Sequence, residues 1–430
     1  MKSNKALNIL DKSSLAMIYF VVATSPFLSL FAGLGLAACF VLAALFPTIS
    51  SIIYRRGVFK QALKSNIYKV VLIFFLYSLI SAAWAVSPEQ SFKLWYRMVL
   101  FFIGFICLYE FVRQFNDGQR KTLSITLLIG FLVALVAANV EIISGGALSE
   151  FFRSFKAKEY HFELTDLNRG ATYLAIIFWC VFAQVVVYKR FLFAALLAFL
   201  TLLTIIRLES QSASMAFILS FLTFPLILVF GKKAIKSMML LAIFAVISVA
   251  AVSYKMQPDI IFKNIPDIPN SASEYRLYIW DFTAGLAMEK PIWGWGFNAS
   301  RAIPISEGEY VLNGRHPLPL HPHNNVLQVW VELGCVGLFI FILFLLAQLQ
   351  SIESTTHLQR SNCRTGFKND SKSLIIRKLM DNMPVSMTFG LFCTYFAIGE
   401  TGYGIWQNWW VAGGLLSAVI INSNFSKNNT

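Results

Sequence analysis

The residues best suited to chemistry lie close together around position 320. His316, His321 and His323 fall within eight residues, in the run His316-Pro317-Leu318-Pro319-Leu320-His321-Pro322-His323-Asn324. Pro317, Pro319 and Pro322 hold this approach extended, because each ring fixes φ and turns the preceding residue away from the helical region. A long apolar run follows at once, so Asn324 stands where it can cap a helix. The positive end of that helix, beside His321 and His323, suits an anion and above all a phosphate. A His-x-His pair could also hold zinc, but no neighbouring cysteine or carboxylate completes a ligand set. Structural capping of the loop would use the same residues without chemistry. The favoured reading is a catalytic or phosphate-contacting histidine, and His323 is preferred because it adjoins the helix start.

Upstream, residues 271–290 read SASEYRLYIWDFTAGLAMEK. Ser271 and Glu274 have the spacing of a capping box. Tyr275, Tyr278, Ile279, Phe282 and Leu286 recur at helical spacing, and Pro291 ends the pattern. Such an amphipathic helix either lies along the membrane surface or packs on the bundle. Arg276 falls in its first turn, where the helix dipole disfavours a cation. Helix stability does not explain that placement, although a pair with Glu274 or with a lipid phosphate would. The turn Pro291-Ile292-Trp293-Gly294-Trp295-Gly296 comes next. Glycine-rich turns are common, and no dinucleotide or Walker pattern accompanies this one, so a nucleotide is not expected. Two further placements stand out. Arg207 and Glu209 either pair with each other or line a pocket. Glu332 lies about two turns into the apolar run after Asn324, where an ionisable side chain implies either a function or a buried partner.

The elements that must position these residues are membrane helices. Hydrophobic residues make up 57% of the chain and charged ones 13%, with a mean hydropathy of +0.64. A soluble chain of this length would carry about one quarter charged residues. Twelve apolar stretches are long enough to span a bilayer or nearly so, near 15–31, 34–50, 69–86, 95–112, 122–143, 170–187, 191–207, 213–230, 236–253, 323–349, 383–399 and 404–422. The net charge of +14 resides in the short connectors between them, which argues against a nucleic-acid partner. With a cytoplasmic N-terminus, 23 of the 36 basic residues fall on the cytoplasmic side, including Arg55-Arg56, Arg120-Lys121, Lys189-Arg190 and Lys232-Lys233. The positive-inside rule therefore puts both termini in the cytoplasm. The first apolar run has no small-residue cleavage site and reads as a retained helix. None of the six cysteines has CxxC spacing, and all but Cys363 fall in apolar segments, so neither a disulfide framework nor a metal site is expected. The expected fold is an all-α polytopic membrane protein of about twelve transmembrane helices in one membrane domain. Spans 1–9 occupy 15–253, an external loop occupies 254–322, and spans 10–12 occupy 323–422.

Four stretches together resemble the O-antigen ligase/O-antigen polymerase family. They are Tyr275-Arg276-x-x-Ile279-Trp280, Pro291-x-x-Gly294-x-Gly296, His321-x-His323-Asn324-x-x-Leu327-Gln328, and Glu332-Leu333-Gly334-x-x-Gly337. The resemblance implies a GT-C-like membrane glycosyltransferase of the bacterial inner membrane that needs neither a metal nor another cofactor. Its donor would be a glycan on undecaprenyl pyrophosphate, and its active loop would be periplasmic. The acceptor would be lipid A–core for a ligase, or the growing glycan for a polymerase. By the same resemblance Arg276 matches the family's loop arginine and His323 its essential histidine. His321, Asn324 and Glu332 would line the substrate site. One departure is plain: where the family often carries a Gln-Ser-Arg-Gly-like motif, this chain reads Gln211-Ser212-Ala213-Ser214, and Arg207 becomes the candidate replacement. His323 would act either as the base for the acceptor hydroxyl or as a cation on phosphate. A polysaccharide polymerase with the same site is the nearest alternative. A polysaccharide transporter or flippase is the alternative from another class. Glu332 favours transport, whereas the crowding of histidines and aromatics in one loop opposes it.

Overall fold

The computed structural model describes residues 2–55, 57–154, 161–264, 271–305, 315–359 and 371–425. These residues form sixteen α-helices. In chain order they are α1 (Lys2–Phe31), α2 (Leu36–Ile53), α3 (Gly57–Ala62), α4 (Asn66–Ser81), α5 (Pro88–Arg113), α6 (Asp117–Ser144), α7 (Ala147–Arg153) and α8 (Asn168–Val187). There follow α9 (Phe191–Arg207), α10 (Gln211–Phe230), α11 (Lys232–Tyr254), α12 (Pro258–Asn264), α13 (Ser271–Glu289), α14 (Asn325–Gln359), α15 (Ser371–Gly399) and α16 (Asn408–Ser423). Each of the twelve apolar stretches falls on a helix. Among the described residues, eight helices are long and apolar enough to cross a membrane, and α4 and α9 are shorter apolar ones. The chain is thus an all-α polytopic membrane protein. Arg56, Cys363 and the side chain of Ser271, with its expected capping box, lie outside what is described.

The packing follows from which helices are apolar all round. The side chains of α8 are almost wholly buried, Tyr173, Phe178 and Trp179 among them, so α8 is the axis of the bundle. It packs against α1, α6, α9, α10, α15 and α16. Small residues allow backbones to approach closely: a Cβ on Gly130 would stand 2.1 Å from the Ala23 carbonyl oxygen. The opposite pattern marks the periphery. Leu192 is 86% exposed and Phe244 67% exposed, an arrangement that only a lipid environment satisfies.

One long helix is broken, and the break builds the floor of the site. Gly334 interrupts α14 with φ +64°. The turn 291–296 is spliced into the gap. Trp295 and Gly296 donate to the carbonyls of Val331 and Glu332 at 2.9 and 2.8 Å. Cys335 and Val336 donate to the carbonyls of Pro291 and Ile292 at 2.8 and 3.3 Å. Tyr77 Oη on α4 donates to the Leu333 carbonyl at 3.0 Å. These bonds pair backbone groups freed by the break, as a non-aqueous interior requires. Only glycine fits on either side of this junction. A Cβ on Gly294 would lie 2.4 Å from the Glu332 carbonyl, and one on Gly334 would lie 2.1 Å from the Ile292 carbonyl oxygen. The glycine turn and the Glu-Leu-Gly motif are therefore two halves of one structure. The single span expected over 323–349 divides at this point.

Candidate active site

The candidate residues gather where the N-terminus of α14 meets the loop between α15 and α16. Asn324 caps α14: its Oδ1 accepts from Leu327 N–H at 2.9 Å, while its Nδ2 donates to the Glu400 carbonyl at 3.1 Å. Both ends of its side chain are thus occupied by structure. His323 precedes the cap with φ +55°, a conformation that a β-carbon normally avoids. Its Nδ1 lies 2.6 Å from the Gly402 carbonyl oxygen. A carbonyl only accepts, so Nδ1 carries the proton and Nε2 is left with its lone pair free. Burial holds the His323 pKa below its usual 6.5, and the neighbouring Arg276 lowers it further against the opposing effect of the Gly402 bond. The ring is therefore neutral at pH 7. His321 packs beside it with ring centroids 4.2 Å apart. Burial, with His323 and Arg301 nearby, pushes its pKa down to about 3. The amide nitrogen of Gln407 lies 2.8 Å from His321 Nε2, and the amide oxygen accepts from Trp409 Nε1.

Arg276 reaches this group from α13. That helix packs on α11 and α14 rather than standing free, and Trp280 Nε1 donates to the Pro322 carbonyl at 3.0 Å. Tyr275 donates to the His316 carbonyl, so the residues flanking Arg276 hold the proline-rich approach in place. The helix begins at Ser271, which puts Arg276 in its second turn rather than its first. Among the described residues Arg276 makes no ion pair, with Glu274 or any other carboxylate. Burial depresses its pKa, and Tyr403 acts in the opposite sense. A half-buried guanidinium with no counter-ion among the described residues, next to a neutral imidazole at a helix N-terminus, has the chemistry to attract an anion.

Glu332 and Arg207 stand apart from this centre. The Glu332 carboxylate is fully buried and accepts four hydrogen bonds, from Asn298 N–H, Ser300 Oγ, Gln328 Nε2 and Trp406 Nε1, at 2.6–3.0 Å. It ties the 298–300 turn and the 405–406 loop to α14, and its partners are all neutral. Arg207 ends α9 exposed to solvent and makes no ion pair with Glu209 among the described residues. Its turn does reach the site, because Ser212 Oγ donates to the Thr401 carbonyl at 3.2 Å.

Several residues of this centre escaped the sequence reading. The last span was expected to begin at 404, but α16 begins at Asn408, and residues 400–407 form a loop beneath His321 and His323. That loop supplies Glu400, Gly402, Tyr403, Trp406 and Gln407. The available signals were Gly402, Gly404 and the polar Gln407-Asn408 inside an otherwise apolar run. Burial raises the Tyr403 pKa, and the Thr172 hydroxyl and the charges of Arg169 and Arg276 pull it back.

The fold is that of a polytopic helical membrane protein, with His321, His323 and Arg276 gathered at one end of its bundle. Residues 194–342 match the family model described as O-Antigen ligase. That stretch holds Arg276, His321, His323 and Glu332, and stops short of the 400–407 loop. A "Putative polysaccharide ligase" of Rickettsia bellii is 28% identical over 433 residues, covering 94% of this chain and 96% of its own. One of the same description from Rickettsia felis is 28% identical over 361 residues, covering 82% and 79%. Both similarities point to the O-antigen ligase family that the four motifs resemble.

Proposed function

We propose that this protein is a polysaccharide ligase that moves a glycan from undecaprenyl pyrophosphate to a hydroxyl of lipid A–core at the periplasmic face of the inner membrane. The observation that carries the proposal is His323, with Nδ1 bonded to Gly402, beside Arg276, which has no carboxylate partner among the described residues. The acceptor oxygen attacks the anomeric carbon of the glycan. A carbon–oxygen bond forms there as the bond to pyrophosphate breaks, and the carrier lipid keeps the pyrophosphate. The acceptor's proton passes to His323 Nε2. Of the two roles open to this histidine, the base fits better, because burial and Arg276 keep it neutral. Arg276 stabilises the charge that grows on the leaving oxygen, and its planar fork suits two phosphate oxygens at once. Asn324 and Glu332 act as positioning groups, since their polar atoms already hold the loops around the site.

Transfer from a lipid-pyrophosphate-linked glycan to lipid A–core by the purified protein tests this reading. His323→Ala should cost roughly 10²-fold or more in rate. Arg276→Ala should cost a similar factor. Wild-type rates in both variants, at normal protein levels, would sink it. Extension of the glycan on its carrier, with none reaching core, would turn the reading to a polymerase.

A further inference from the structure

We propose that Arg169, at the start of α8, is the second guanidinium of the pyrophosphate site and faces Arg276 across Tyr403, a step that rests on the pyrophosphate reading above. The sequence offered Arg207 for this place. Geometry favours Arg169. The Tyr403 hydroxyl lies 3.3 Å from Thr172 Oγ1. Thr172 is three residues along α8 from Arg169, so the two share a helix face. The Tyr403 ring also meets Trp409 edge-on, with centroids 4.7 Å apart, and the Arg169 guanidinium carbon is 6.0 Å from the Trp409 ring. Two independent contacts thus bring Arg169 towards Tyr403. The next residue back, Gly402, holds His323. Arg276 and Arg169 both act electrostatically on the Tyr403 hydroxyl, and Arg276 acts on His323 as well.

Neither arginine has a carboxylate partner among the described residues. Two guanidiniums facing one polar floor repel each other, and an anion with two charged centres relieves that repulsion. The Arg169 side chain is also seated. A Cβ on Gly33 would stand 2.7 Å from its Cβ and 2.9 Å from its Cδ, so the stem fills the slot that this glycine leaves between α1 and α2. The residue as a whole remains exposed, as a ligand-binding group must be. Arg207, by contrast, makes no hydrogen bond, ion pair or ring contact among the described residues.

Phosphate chemistry could come from the donor's pyrophosphate or from a phosphate on the acceptor lipid, and kinetics separate the two. The full-length protein in zwitterionic nanodiscs would be assayed against each substrate in turn, with inorganic pyrophosphate as inhibitor. Arg169→Ala should lower kcat/KM for the donor roughly ten-fold or more, the scale of one lost charged hydrogen-bonding contact. It should weaken inhibition by pyrophosphate in parallel and leave the acceptor KM unchanged. Arg169→Lys should recover only part, because lysine lacks the planar fork. Gly33→Ala, which pushes the stem without altering charge, should shift the donor term in the same direction. The inference fails if Arg169→Ala keeps wild-type donor kinetics while Arg276→Ala loses them, if the effect falls on the acceptor alone, or if Arg207→Ala has the larger effect. Wild-type behaviour of Arg276→Ala and His323→Ala in the same assay would instead remove the underlying reading.

Discussion

His323 departs from the ordinary in three respects at once: positive φ, burial, and a short bond that fixes its tautomer. Strain of this kind persists where the surroundings over-determine it, and here the Asn324 cap and the 400–407 loop do so. Glu400 is the least expected member of that loop. The residue is half-buried, but its Oε1 is buried with no partner among the described residues, and desolvation raises its pKa from 4.5 to about 8, opposed by a bond from Val326 N–H. The folded protein therefore keeps a proton that the unfolded chain releases above pH 4.5. The stabilisation this confers is complete below 4.5 and is lost as pH rises through about 8. Glu400→Gln should remove that dependence, so its melting temperature should fall less than the wild type's between pH 5 and 8, a window of about this width. Parallel curves for the two proteins would contradict the assignment. His321, His323, Asn324 and Arg276 were legible because short-range signals mark them: prolines, an apolar run, an amphipathic helix. Glu400 and Tyr403 were not, since their place beside the α14 N-terminus depends on how α8, α14 and α16 pack.

The broken α14 decides how the site is held. Apolar periodicity gave the helix but not its division, because the apolar run continues through Gly334 and no proline marks the place. Glu332-Leu333-Gly334 and the 291–296 turn, separated by more than thirty residues, each read as weak signals alone. They acquire meaning only as the two sides of a backbone splice. Gly334→Ala forces a Cβ into the Ile292 carbonyl at a residue with φ +64°, and should destabilise the protein by about 3 kcal/mol or prevent its accumulation. Gly285→Ala, in the middle of α13 with nothing near its Cβ, should be neutral or stabilising by up to about 1 kcal/mol. Equal thermal stability of the two variants would show that the splice is not under the constraint inferred from its geometry.

At the scale of the whole molecule, a lipid-facing bundle around α8 brings loops from distant parts of the sequence to one end. Residues 33, 85, 169, 212, 296, 323 and 402 are linked there by the contacts described above and by the approach of Gly296 to Ala85. Hydropathy fixed the helical class and the approximate spans, because each span is a local property. Which loops converge, and hence which cations share an anion, is a property of the packed bundle. Function belongs to this scale too, since donor and acceptor are both membrane lipids in the proposed reaction. The most direct test is the lipopolysaccharide of a strain lacking this protein, complemented with the wild type or with His323→Ala. Without the protein, or with the variant, lipid A–core should lack long glycan while full-length glycan accumulates on the carrier lipid, and the wild type should restore the long bands. Core that still carries long glycan in the deletion strain would contradict the assignment.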